Sequence, residues 1–559
     1  MALTKVHSRM ETQVSTIAEL KTYGSSMSEG DSVEVLGYTT AGDGGEGTFY
    51  WDASSTATDN IGTIIQATGV TTGRWVRIYK GAIQVDWFGA VGDGIVDDTA
   101  AFKACSVYAE SLSEGYPGGM EDAYSHPHIV IHYGMNKKYR VIGDNPCGIQ
   151  STVVDSSFYI EVDGNQSLLA WEPTLATDAL FSKLGRNVIP RYSRLKIDTN
   201  VDHPNTPTGS IFRSATGEGD AKATWRNGRF IDVAIDTNVD TVFDIDNDTG
   251  STANDTTLVE SFICRNITTF LRIAEAEAVD WKIHKCVFGN YSPNAKFFVI
   301  GEGGAGTFSG GLTIDSCEIL MQNDAGSYDN PTLIYNTCTS NALTPIKIIN
   351  SRLETRGNDA WRLIDATQGH YVIEGLSYTT GLPSGNVHPD TRLAVIGDKA
   401  SIEISNCTMP AFITATLPTA PITNVMIKAE NSVFNMNRAV DGSGILAAIA
   451  YPIIYWEDGG TTYSMREAIV AGFTPRRVEI NSPRITASGD SFYGGKETNS
   501  KNYQELYLHL SDGSTGLDFV GKMVPNNVVI TSMKLFQFNV DVAKVDRIRI
   551  RFQDRKSVV

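Results

Sequence analysis

Between residues 155 and 490 the chain alternates short apolar runs with clusters of Gly, Asn, Asp, Ser and Thr, and several runs share one template. It reads apolar, any, apolar, two residues, a small residue or leucine, any, apolar. Trp281-Ile283-Cys286-Phe288, Leu312-Ile314-Cys317-Ile319, Ile346-Ile348-Ser351-Leu353, Tyr371-Ile373-Leu376-Tyr378 and Ile402-Ile404-Cys407-Met409 fit it, and Ala223-Trp225-Gly228-Phe230 fits more loosely. The starts at 281, 312, 346, 371 and 402 lie 31, 34, 25 and 31 residues apart. Period-two alternation puts the apolar set on one face of a strand. Recurrence at this spacing makes each unit a coil that buries that face only by stacking on the next. The pattern predicts a β-solenoid with Cys286, Cys317, Ser351, Leu376 and Cys407 in one ladder. Its Gly- and Asn-rich corners should be left-handed, with 250–256, 321–330 and 381–390 as exposed turn loops.

The flanks differ. Residues 98–112, DTAAFKACSVYAESL, predict an amphipathic helix with Ala101, Cys105, Tyr108 and Leu112 on one face. Asp98 or Thr99 offers an oxygen to cap its N-terminus, and the helix would cover the open end of the solenoid. Residues 15–82 read as a small β domain. At the other end, Leu506-Leu508-Leu510, Phe536-Phe538-Val540-Val542 and Ile548-Ile550-Phe552 predict half-buried antiparallel strands, with Arg547, Arg549 and Arg551 on the opposite face.

With 559 residues, 41% hydrophobic and 20% charged, the composition is that of a globular chain. No apolar run is long enough to span a bilayer, and the first residues, MALTKVHSRMETQ, lack the apolar core of a secretory signal. A net charge of −18 argues against nucleic acid or an anionic membrane as the main partner, since both demand a basic face. The seven cysteines have neither disulfide-framework nor zinc spacing, so they read as buried thiols.

GDGGEGTFYWD, ending at Asp52, GRWVRIY at 73–79 and DWFGAVGDGIVDDTAAF at 86–102 resemble bacteriophage tailspike proteins and the pectate-lyase-like superfamily. The resemblance covers roughly residues 1–105 in detail. It implies an all-β chain whose trunk is a right-handed parallel β-helix, assembled as a homotrimer. On that reading 1–14 is a leader, 15–85 a small domain attaching to the virion or a phage tail adaptor protein, 86–490 the β-helix with its capping helix, and 491–559 a C-terminal β-sheet domain for trimerisation or glycan binding. The implied partner is a bacterial surface polysaccharide, capsule or O-antigen, cleaved without a cofactor. The implied location is the virion tail, after synthesis in the host cytoplasm.

Glycoside hydrolysis needs two carboxyl groups, and coils about 4.8 Å apart bring outward residues of neighbouring coils within working distance. The template turns Val287, Glu318, Arg352, Ser377 and Thr408 outward after the ladder, and His284, Asp315, Ile349, Glu374 and Ser405 outward before it. Glu318, Glu354 and Asp315 are therefore the candidate catalytic acids, with Arg352, Arg356, His284 and Glu374 as candidate substrate contacts. The competing reading of each is a solvated cross-strand charge pair. A lyase would instead use a His, Lys or Tyr base beside a sugar carboxylate neutralised by arginine, and His284, Arg352 and Arg356 would matter there. A non-enzymatic, glycan-binding tail fibre is the third reading. Asp232, Asp236, Asp240, Asp244, Asp246 and Asp248 lack calcium-loop spacing and read mostly as turn residues. His126, His128 and His132 read as packing or surface residues rather than a metal site. GEGGAG at 301–306 reads as a flexible corner, and no nucleophile elbow is present.

Overall fold

The computed structural model describes residues 12–112, 128–150, 158–183, 188–199, 209–214, 227–245, 256–273, 280–291, 295–301, 311–322, 331–338, 344–356, 361–380 and 392–410. Beyond these it describes the backbone of strands at 413–416, 426–430, 433–436, 454–458, 461–464, 477–481, 484–487, 505–510, 516–522 and 547–550. The chain clusters into two compact units, one ending at Val239 and the other beginning at Asp240.

The first unit opens with a five-stranded sheet in the order Thr12–Val14, Ser32–Val35, Gly47–Asp52, Arg74–Arg77, Ile64–Ile65. Trp51 and Trp75 meet edge to face at 5.2 Å in its core, and the Trp75 indole donates to the Tyr23 carbonyl at 2.7 Å. Gly73 (φ +109°) lets the chain turn against Trp51, because a Cβ there would lie 2.1 Å from the ring. The sheet is fastened to the first coil through the buried Asp86. Its carboxylate accepts from Tyr139 Oη at 2.7 Å and sits 2.9 Å from Lys137 Nζ, which also donates to the Asp43 carbonyl at 2.6 Å.

The helix runs from Thr99 to Ser111 and buries Ala101, Phe102, Cys105 and Ala109. The expected face is thus rotated: Tyr108 is only half-buried and Leu112 is exposed. Phe102 is the reason, since its ring packs on Tyr133 and Tyr139 of the first coil at 5.0 and 5.1 Å. Neither expected cap serves as one. Asp98 accepts from Val91 N and Gly92 N, Thr99 Oγ1 accepts from Ile142 N, and Asp97 receives the Thr99 amide. The first coils come next, with parallel pairings such as Ile160↔Ile129 and Tyr192↔Phe230. Positions 223 and 225 of the loose template match lie outside the described residues. Asp232, Asp236, Asp240 and Asp244 lie along the strand Arg229–Ile245 rather than mostly in turns, with a left-handed bend at Asp232 (φ 56°).

In the second unit each coil contributes three strands, and equivalent strands stack in parallel. On one face Trp281, Leu312, Ile346, Tyr371 and Ile402 lie in one unbroken column of Cα partners. This is the parallel β-helix expected from the template. Phe262, Phe270, Phe288 and Phe298 fill the core with edge-to-face contacts. One further coil starts at Thr257, directly under Trp281; it escapes the template because threonine stands at the first apolar position.

The corner after this face repeats one left-handed turn through six successive described coils. Ser261, Lys285, Ser316, Asn350, Gly375 and Asn406 are all left-handed, with φ between 49° (Asn350) and 64° (Gly375). The amides of Lys285, Ser316, Asn350 and Gly375 each donate to the strand-end carbonyl of the next coil at 2.8–3.1 Å. The next residue points inward and cannot use a carbonyl. Where the ladder residue one coil on carries oxygen or sulfur, its amide takes that side chain: Cys317 N donates to Ser351 Oγ at 3.1 Å and Leu376 N to Cys407 Sγ at 3.4 Å, whereas Leu376 offers the Ser351 amide no acceptor. The ladder cysteines are therefore polar fillers of a buried corner. Burial pushes the Cys407 thiol up to about 11, consistent with an unreactive role.

Toward the C-terminus, Glu505–Leu510 pairs antiparallel with Arg477–Asn481 and with Gly516–Lys522, as the alternation implied. Arg547–Ile550 instead runs parallel to Gly516–Phe519. Alternation fixes which face a residue occupies but not the direction of the neighbouring strand. The 536–542 segment, 250–255, 323–330 and 381–390 lie outside the described residues. Met321 and Gln322, placed in a loop by sequence, continue the strand Glu318–Gln322, where Met321 is buried.

The corner chemistry generates a stability prediction. Ser351→Ala removes the acceptor of a buried amide and should cost about 1–3 kcal/mol, whereas Ser351→Cys, which copies Cys317 of the preceding coil and keeps an acceptor, should cost far less. Unfolding rates of the two variants in denaturant will compare them.

Candidate active site

Two charged columns flank this corner. Before it, Glu260, His284, Asp315, Ile349, Glu374 and Ser405 are successive Cα partners. After it, Val287, Glu318, Arg352, Ser377 and Thr408 are successive partners. The outward assignments made from the template hold at each of these positions.

The second column carries the tighter arrangement. Arg352 reaches Glu318 of the preceding coil, Nη1 to Oε1, at 3.3 Å, and Glu354 of its own strand, Nη2 to Oε2, at 2.7 Å. One guanidinium thus holds two carboxylates, and their separation is set by the fork as well as by the coil spacing. The environments differ: the Glu318 side chain is 39% exposed and that of Glu354 is 9% exposed. Glu354 stands opposite Leu320, one coil back, which accounts for part of its burial. Arg356 is opposite Gln322 by register; its side chain lies outside the described residues.

The first column forms a separate cluster. His284 Nδ1 lies 3.2 Å from Asp315 Oδ2 but is not aligned for a hydrogen bond, and His284 Nε2 is 4.0 Å from Glu260 Oε1. Ser316 Oγ donates to Asp315 Oδ1 at 2.9 Å, and Lys282 Nζ approaches Oδ2 at 3.9 Å. Glu374 is exposed, two coils beyond Asp315, with Ile349 between them. The structure therefore splits the sequence-based candidates. Glu318, Arg352 and Glu354 come together, His284 and Asp315 pair across the corner from them, and Glu374 joins neither group. Elsewhere, His128 pairs with Glu161 at 2.8 Å, Asp244 is held by Arg272, and His126 and 302–310 lie outside the described residues.

Sequence reasoning missed Lys296, Tyr335, Arg362 and Asp365, which gather on another face of the coils. Lys296 Nζ sits 3.5 Å over the Tyr335 ring and Arg362 bonds Asp365.

Residues 13–80 match the phage tail protein small four-stranded beta-sheet domain. The four antiparallel-paired strands between Ser32 and Arg77 account for that description, and Thr12–Val14 adds a fifth in parallel. A capsule K2-specific depolymerase of Klebsiella phage vB_KpnP_KpV74 is 35% identical over 101 residues, which are 18% of this chain and 17% of that protein. The chain thus matches about a sixth of that relative's length. Among solved structures, Pantoea stewartii WceF, a glycan biofilm modifying enzyme with a tailspike-like parallel β-helix, aligns with a TM-score of 0.38 and 12% identity, over 81% of this chain and 52% of that one. The Acinetobacter baumannii phage AM24 tailspike gives 0.37 and 12%, over 74% and 65%. Geobacillus virus E2 ORF18 gives 0.39 and 11%, over 94% and 93%.

The unequal burial of the two carboxylates generates a prediction. In double-mutant cycles read by unfolding, Arg352–Glu354 should couple by about 1–3 kcal/mol, as a hydrogen bond to a charged, shielded group. Arg352–Glu318 should couple by about 0.2–1 kcal/mol, as an exposed pair.

Proposed function

We propose that this chain is a phage tail depolymerase that binds and cuts a bacterial surface polysaccharide, capsule or O-antigen, by endo-acting hydrolysis at Glu318 and Glu354. The observation that carries the reading is the Glu318–Arg352–Glu354 fork on adjacent coils. A glycosidase needs one carboxyl group to protonate the leaving oxygen and one carboxylate to activate water or attack the anomeric carbon. Glu318, which receives the longer bond from Arg352 and is open to an incoming polymer, is assigned the acid. Glu354, which receives the shorter bond from Arg352, suits the carboxylate role. The proton passes from Glu318 to the glycosidic oxygen as that bond breaks, and water supplies the hydroxyl of the new reducing end, its other proton passing to a carboxylate of the pair.

The same geometry weighs against elimination. A lyase would use Arg352 to neutralise a sugar carboxylate, yet both ends of its fork are taken by protein carboxylates, and His284 stands across the corner beside Asp315. Asp315 is then a partner of His284 rather than a third acid. The match of residues 13–80 to a phage tail domain supports attachment of the N-terminal sheet to the tail or an adaptor. We extend the reading to a homotrimer that needs no cofactor, with residues 491–559 serving assembly or glycan binding.

Purified polysaccharides from a panel of capsulated and O-antigen-bearing bacteria, incubated with the chain, test this. One polymer should yield oligosaccharides with new reducing ends and without ultraviolet-absorbing unsaturated ends. Glu318→Gln and Glu354→Gln should each lower its turnover by about 10²–10⁴-fold with little change in assembly. Unsaturated products would establish elimination, and an intact polymer throughout would establish a binding fibre.

A further inference from the structure

Arg272, Val299, Tyr335 and Asp365 are successive Cα partners on a different face of the second unit. Three coil steps make this column about 14 Å long. Leu271 and Ile273, Ile334 and Asn336, and Ile364 and Ala366 are buried on either side, so Arg272, Tyr335 and Asp365 turn outward, while Val299 between Arg272 and Tyr335 is itself buried. The acids on this face are already claimed. Arg272 donates Nε to Asp244 Oδ1 at 2.8 Å, and Arg362 donates Nη1 to Asp365 Oδ2. Of the three cations, Arg272 and Arg362 are thereby paired, and Lys296 is the one left over. Lys296 Nζ lies 3.5 Å over the Tyr335 ring and has no carboxylate partner among the described residues. Arg362 Nε is buried with no hydrogen-bond partner among them. A lysine on a partly exposed aromatic ring gains only about 0.5–1 kcal/mol, so fold stability alone gives little reason for an ammonium there. In a chain of net charge −18, this is a local excess of cation around an aromatic ring.

We propose that this face is a second glycan-binding strip, distinct from the Glu318–Arg352–Glu354 corner, that takes a sugar bearing a carboxylate. The ammonium of Lys296 receives the carboxylate, Arg362, tied to Asp365, adds positive charge along the strip, and the Tyr335 ring face turned away from Lys296 carries the apolar face of the sugar. The strip would hold the polymer while the corner cuts it. This rests on the polysaccharide reading above.

The test uses the polymer that the unmodified chain cleaves, in native form and after chemical reduction of its carboxyl groups. Binding is measured in a Glu318→Gln background, and cleavage of short product oligosaccharides is measured with Glu318 intact. Lys296→Gln, Arg362→Gln and Tyr335→Ala should each weaken binding of the native polymer by about tenfold or more. Lys296→Arg and Tyr335→Phe should largely retain it. Carboxyl-reduced polymer should bind weakly to every form. Unchanged cleavage of the short oligosaccharides will show that the variants are folded and that the corner is intact. Equal binding of native polymer by all variants, or equal affinity for native and reduced polymer, overturns the strip while leaving the corner assignment standing. If the unmodified chain neither binds nor cuts any polymer in the panel, both readings fall.

Discussion

The second unit depends on its backbone hydrogen bonding passing round a corner without interruption. Parallel strands satisfy their own amides and carbonyls, but a bend normally strands them. Here one left-handed residue per coil keeps its amide on the next coil's strand-end carbonyl. The inward residue after it, at Cys317 and at Leu376, borrows a side-chain oxygen or sulfur from the coil beyond. Because this repeats in register, the outward residues on both sides of the corner are fixed relative to one another as closely as the backbone itself. A site assembled there is built on strands rather than on a loop, and the positions of Glu318, Arg352 and Glu354 are inherited from the stacking.

That inheritance separates charge clusters that the sequence places close together. Asp315 and Glu318 are three residues apart, yet the left-handed Ser316 and inward Cys317 between them send one to His284 and the other to Arg352. The two clusters lie on different strands of the same coil and have different chemistry. A histidine between carboxylates can exchange protons, while an arginine between carboxylates is a fixed cation that orients them. The second cluster suits a hydrolytic pair because its unequal burial gives two like groups unlike surroundings.

Much of this was legible from residue order. The column through Trp281, Leu312, Ile346, Tyr371 and Ile402 and the cysteine ladder could be read because these strands are buried on one side only, so that alternation marks the face. The neighbouring strand Lys296–Ile300 is buried at four consecutive positions, and a continuous apolar run carries no such mark. The cationic strip beside it was invisible for that reason. The coil at Thr257 was missed because a hydroxyl occupies an apolar slot. The expected cap failed because Asp98 turns back to the amides of Val91 and Gly92 and Thr99 serves Ile142, whereas local capping rules look only into the helix. The pairing of Arg352 with both glutamates needed the register, since alternation tells which way each side chain faces but not which side chains meet.

A crystal structure of the Glu318→Gln variant soaked with an uncut fragment of its polysaccharide tests the central claim most directly. The account predicts a glycosidic oxygen beside residue 318, with the adjoining anomeric carbon facing Glu354 and the chain of sugars following the stacked coils. Sugar density confined to another part of the molecule, with the Glu318–Arg352–Glu354 corner untouched, would contradict it.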